Sequence, residues 1–113
     1  MPIHRETRIL PYTVEQVFDL VADVARYPEF LPWCIACRVR KRESANALTA
    51  DLVVGFKMVR EQFTSRVTLD RPSSILVEYL QGPFEHLRNE WRFASIPEGT
   101  KVEFFLTFEF RSK

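Results

Sequence analysis

The sequence predicts an α+β domain: short N-terminal helices followed by a curved antiparallel sheet of about six to seven strands. Three observations predict it. From residue 34 onward, apolar side chains recur at every second position. The breaks between these runs are short and turn-like: Ser44-Ala45-Asn46, Arg71-Pro72-Ser73, Gln81-Gly82-Pro83 and Pro97-Glu98-Gly99. One stretch before residue 25 carries helical spacing instead.

Residues 3–10 alternate loosely and read as a first strand, which Pro11 ends. Thr13-Val14-Glu15-Gln16 fits a capping box, in which Thr13 accepts from the N3 amide and Gln16 reaches back. Val14, Val17, Phe18, Val21 and Val24 follow at helical spacing, with Glu15, Gln16, Asp19 and Asp23 opposite. The expectation is an amphipathic helix of about three turns, held by packing because its β-branched residues propagate a helix poorly. Arg26-Tyr27-Pro28-Glu29-Phe30-Leu31-Pro32-Trp33 comes next, and its prolines limit any helix to a short turn. A segment so apolar must cover something. Strands are predicted at 34–43, 47–57, 59–70, 74–81, 85–95 and 100–111, joined as a meander. In the last, Val102, Phe104, Leu106, Phe108 and Phe110 share one face.

Composition sets bounds. The 113 residues fit one domain, with 46% hydrophobic and 27% charged residues. A net charge of +1 argues against nucleic-acid binding driven by overall charge. No apolar run reaches the roughly 18–20 residues of a membrane span. The N-terminus has no apolar signal region, so the expected location is the cytoplasm. Two cysteines do not make a disulfide scaffold. Ten Phe against three Gly imply a very aromatic core or rings that line a cavity.

One helix of three turns cannot cover the apolar face of such a sheet. Leaving the inward face of the last strand wet would forfeit about 1.5–3 kcal/mol per side chain, against a typical net stability of about 5–15 kcal/mol. The expected cover is a C-terminal helix, a partner or a ligand.

Three motifs carry a family likeness: Tyr27-Pro28-Glu29-Phe30-Leu31-Pro32-Trp33-Cys34; Gly55-Phe56 with Glu61-Phe63-Thr64-Ser65-Arg66-Val67; and Gly82-Pro83-Phe84 with Leu87 and Trp91-Arg92-Phe93. With the element order, they resemble the START-like, helix-grip superfamily, which includes polyketide cyclases. Within it the chain is similar to the coenzyme Q-binding branch, which also holds the ribosome-association toxin RatA. The resemblance runs from Ile3 to Phe110 and implies a long C-terminal helix in the grip of the sheet. That helix is absent from this chain, so the expectation is one START-like domain, 1–113, truncated at its C-terminus.

The resemblance implies a non-enzymatic binder of a hydrophobic ligand, ubiquinone or a similar prenylquinone, acting as a carrier that supports respiratory electron transport. Phe30, Leu31, Trp33, Val54, Phe56, Phe63, Trp91, Phe93 and Phe104 would line the cavity, although periodicity alone reads the aromatic set as core. Glu61 and Asn89 fall on inward faces and would be polar anchors for a headgroup. A carboxylate there is costly unless it is paired or a bulge turns it outward. Asn89 can donate to a quinone carbonyl, whereas an ionised Glu61 cannot. Arg38, Arg40 and Arg42 are expected to share one strand face, either simply solvated or attaching the protein to anionic lipid or ribosomal RNA. The alternative function is accordingly a RatA-like toxin that binds the ribosome and blocks subunit association. A small cyclase or hydratase with Glu61 as acid-base is the third. Trp33-Cys34-Ile35-Ala36-Cys37 has the Cys-x-x-Cys spacing of redox proteins, but residues three apart on a regular strand point to opposite faces. No catalytic or metal site is expected, since His4 and His86 have no evident acid partner and lack ligand spacing.

Overall fold

The computed structural model describes residues 3–29, 31, 34–56 and 59–110. Strand β1 (Ile3–Leu10) leads to helix α1 (Val14–Ala22) and a 3-10 helix (Val24–Glu29). Six strands follow: β2 (Cys34–Ser44), β3 (Ala47–Phe56), β4 (Val59–Asp70), β5 (Ser74–Gln81), β6 (Phe84–Ile96) and β7 (Gly99–Phe110). All pairings are antiparallel, in the order β1-β7-β6-β5-β4-β3-β2. Strands β2 to β7 form the expected meander. β1 closes on β7, so the chain must cross the inward face of the sheet to begin β2 at the opposite edge. The helices make that crossing.

The capping box forms as read: Thr13 Oγ1 accepts from the Gln16 amide at 3.2 Å, and Gln16 Oε1 accepts from the Thr13 amide at 3.0 Å. The helix is shorter than the spacing predicts. It stops at Ala22 with Asp23 in a non-helical cap (φ −80°, ψ 76°), and Val24 opens the 3-10 helix. Aspartate competes locally for backbone hydrogen bonds and favours such ends. Nine residues are too few to be helical alone. Packing holds them: Val17, Phe18 and Val21 are buried, each worth about 1.5–3 kcal/mol.

The crossing closes one end of the sheet. Thr100 Oγ1 donates to the Tyr12 carbonyl at 2.8 Å, Arg71 forks onto Asp19 at 2.9 and 3.1 Å, and Phe18 stands edge-on to Phe93 at 5.7 Å. Gly99 sits at φ +135°, and any Cβ there would fall on the Leu10 carbonyl oxygen. The inward face of β7, expected to need a cover, is partly covered by the chain's own crossing. Val102 and Phe104 are buried and Leu106 and Phe108 half-buried, while the Phe110 side chain lies outside the described residues.

The opposite end carries the β5–β6 hairpin. Its Gly82-Pro83-Phe84 tip turns inward, and the Phe84 amide donates to the Tyr79 hydroxyl at 3.0 Å. Phe84 meets Phe63 at 5.3 Å and Phe108 at 6.2 Å between ring centroids. Gly82 makes the turn at φ +151°, where an added Cβ would lie 2.7 Å from Phe63 Cβ. Gly82→Ala is expected to cost about 1–3 kcal/mol from backbone strain alone, read as a lower urea midpoint with unchanged slope.

Candidate functional site

The inward face divides into two zones. Near the closed end the protein fills its own space. Leu48, Val67 and Ile75 are at most 1% exposed. Trp91 stacks on Phe93 at 6.4 Å and meets Phe104 edge-on at 4.7 Å, and Tyr27 leans over it at 6.3 Å. Burial pushes the Tyr27 phenol well above its ordinary range. Towards the open end the apolar wall is incompletely covered: Leu31, Val54, Tyr79, Leu106 and Phe108 are half-buried.

The expected ligand-binding set is split between these zones. Phe63, Asn89, Trp91, Phe93 and Phe104 are 3–6% exposed and belong to the packed core. Leu31, Val54 and Glu61 stand in the open zone. Phe30, Trp33 and the Phe56 side chain lie outside the described residues. Tyr79, Phe84, Leu106 and Phe108 join the site without having been singled out for it. The alternation placed Leu106 and Phe108 inward, but nothing local marked the inward-folding hairpin that brings Phe84 and Tyr79 together.

Asn89 faces inward as expected and is engaged within the protein. Its Nδ2 donates to the Phe105 carbonyl at 2.9 Å, and its Oδ1 accepts the Trp91 indole N–H at 3.1 Å. One amide hydrogen is left over. The residue primarily satisfies the buried indole. Glu61 keeps its predicted place. The β3–β4 register is unbroken from Ala47↔Thr68 to Phe56↔Val59, so Glu61 faces inward opposite Val54. No bulge turns it out, and among the described residues it makes no ion pair or hydrogen bond.

Bulges in β2 overturn two further expectations. Cys34 pairs with Val54 and Cys37 with Leu52, because Ile35 is an extra residue in the strand. Both thiols therefore face inward. Their chemistry is nevertheless unlike a redox pair. Burial pushes Cys34 up to about 11 and Cys37 up to about 12, whereas a thiol nucleophile needs a lowered value. Further along, Arg38 pairs with Asp51, Lys41 with Thr49 and Arg42 with Leu48. Arg38 and Lys41 thus point outward and Arg42 to the other face. Arg40 Nε lies 3.5 Å from Asp51, whose Oδ1 also accepts from Thr64 Oγ1 at 2.6 Å. Arg66 pairs with Glu43 at 3.3 Å. Arg38, Lys41 and Arg60 are the outward cations of β2–β4 with no acidic partner among the described residues.

The histidines also gain partners. His4 Nε2 lies 3.5 Å from Glu6, two residues along β1, and His86 Nε2 lies 2.9 Å from Thr107 Oγ1. Among the described residues no three His, Cys, Asp or Glu side chains stand together as metal ligands. No helix there is long and apolar enough to cross a membrane.

Two consequences are measurable. Trp91→Ala removes a ring shared by Tyr27, Phe93 and Phe104 and strands the Asn89 carbonyl. It is expected to cost about 3–5 kcal/mol in urea unfolding, so it reports folding before ligand binding. Folded Cys34 and Cys37 are expected to react slowly with iodoacetamide at pH 7. In the unfolded chain thiols ionise near 9.0, while folded ones keep their protons to about 11 and 12. Their contribution to stability is therefore intact below pH 9 and lost as pH rises from 9 to 12. Urea midpoints across that window should fall less in Cys34→Ala/Cys37→Ala than in the parent.

Comparison with known proteins agrees with this architecture. The family described as polyketide cyclase / dehydrase and lipid transport matches residues 10–113. A ribosome association toxin RatA of Rickettsia prowazekii is 38% identical over 112 residues, covering 96% of this chain and 76% of that protein. The mitochondrial coenzyme Q-binding protein COQ10 of Drosophila melanogaster is 34% identical over 114 residues, but the match spans only 47% of its length. The solution structure of an 18 kDa protein from Caulobacter crescentus superposes with a TM-score of 0.79 at 43% identity, covering 99% of this chain and 78% of that one.

Proposed function

The chain belongs to the polyketide cyclase, dehydrase and lipid transport family, and on that footing we propose that it is a non-enzymatic holder of a hydrophobic, ring-bearing small molecule. Ubiquinone is the first candidate. One observation carries the reading: the apolar wall is completed by the protein's own core at one end and left half-covered at the other. There Val54 stands beside an inward Glu61, and Leu106 and Phe108 lie half-buried on β7. Ligand pockets combine mostly apolar walls with a few polar groups in this way. The name of the Drosophila relative supports a quinone among ring-bearing ligands. Glu61 at the opening would meet the polar head through water or in its protonated form. The role would be that of a carrier or chaperone at the inner face of the respiratory membrane.

A second reading has its own observation. Arg38, Lys41 and Arg60 project from the outer face of β2–β4 without acidic partners among the described residues, and bacterial relatives are named for ribosome association. Contact with RNA phosphates would use this face and leave the grip untouched.

Organic extraction of the purified protein followed by mass spectrometry is expected to yield a near-stoichiometric prenylquinone. An empty extract from folded protein would sink the first reading. Reversing Arg38, Lys41 and Arg60 to Glu should leave the extract unchanged. Loss of ribosome co-sedimentation in that variant would establish the second reading, and its persistence would dismiss this face as the contact.

A further inference from the structure

Several of the described polar groups inside the grip have partners. Asn89 and Trp91 satisfy each other, and Cys34 Sγ donates to the Ala36 carbonyl at 3.6 Å. Ser65 differs. It is 0% exposed, and its Oγ has no hydrogen-bond partner among the described residues. A buried hydroxyl without a partner destabilises a fold, and alanine in its place would not. Something other than stability must favour an oxygen here.

The surroundings say what that is. Along β3–β4 the inward pairs run Glu61–Val54, Phe63–Leu52, Ser65–Ala50 and Val67–Leu48. Ser65–Ala50 is the small pair between two large ones, a dip in the apolar wall below the opening. Tyr79 stands beside Ser65 across the β4–β5 ladder, with Cβ atoms about 5 Å apart. Its ring packs against Phe63 at 6.1 Å and Phe84 at 5.8 Å between centroids. Tyr79 is half-buried and tethered by the Phe84 amide. The β5–β6 ladder ends at Glu78↔Arg88, and beyond it the strands part around a cleft of about 250 Å³ lined by Glu78, Tyr79, Glu85, His86, Leu87 and Arg88. Turning into that cleft would cost the ring its hydrogen bond from the Phe84 amide and its contacts with Phe63 and Phe84.

We infer that Ser65 is a ligand-anchoring residue, whose hydroxyl donates to the carbonyl oxygen of a bound ring when Tyr79 turns into the β5–β6 cleft. This rests on the reading of the grip as a ligand-holding site. The residue supplies a neutral donor beside the one amide hydrogen that Asn89 leaves over. It also selects for ligands with an acceptor oxygen at the leading edge of the ring.

Wild type and Ser65→Ala are compared in two measurements. Urea unfolding of the ligand-free proteins should give a higher midpoint for the variant, because the unpartnered hydroxyl is gone. Titration with decylubiquinone, followed by tryptophan fluorescence, should show roughly three- to tenfold weaker binding by the variant. A lower midpoint for the variant would mean that the hydroxyl already has a partner in the free protein, and overturns the inference. Equal affinities overturn it too, while leaving the ligand-holding reading intact. Failure of the wild type to bind the quinone overturns both.

Discussion

The pairing of β1 with β7 is the constraint on which the rest of the structure depends. It places the start and the end of the N-terminal crossing at opposite edges of a seven-stranded sheet. Six inter-strand steps of about 4.8 Å span roughly 29 Å along a flat sheet, and a nine-residue helix reaches only about 14 Å. Curvature of the sheet and the added 3-10 helix make up the difference. The crossing carries Val17, Phe18, Val21, Val24 and Tyr27 onto the inward face. The closed end is a core because the chain has to pass there, and the open end is a candidate site because it does not.

Satisfying buried polar atoms then decides what each inward residue can do. The Trp91 indole needs one acceptor, and Asn89 supplies it while anchoring itself to the Phe105 carbonyl. That network ties β6 to β7 and takes the amide out of contention as the main ligand donor. Glu61, at the margin, is only half-buried and needs no protein partner. Ser65, in full burial, does not have that escape. The polar groups thus grade from structural at the closed end to available at the opening.

The bulges of β2 show how strongly register governs chemistry. One extra residue, Ile35, brings two thiols three positions apart onto one face. The same bulge turns Arg38 outward, and one further slip, at Arg40, leaves Lys41 outward and Arg42 on the inward side. A basic run that looks uniform in sequence is distributed over both surfaces. β2 is an edge strand, so an inserted residue disrupts pairing on one side only, and such strands tolerate bulges well.

Much of this fold was legible in the residues. The capping box, the alternation along β3, β4 and β7, the four turns and the inward position of Glu61 are local signals that depend on period and backbone preference, and the structure retains them. The early end of α1, the inward-folded Phe84, the shared face of Cys34 and Cys37, and the engagement of Asn89 were not legible. Each depends on which distant backbone or ring lies opposite. The sequence by itself determined the elements, their order and the residues of the apolar face, because these follow from propensities and periodicity within a few positions. Only the tertiary structure decided which part of that face is core and which is open. That division is set by where the crossing segment packs and where the ladders slip, and both are contacts between residues far apart in the chain.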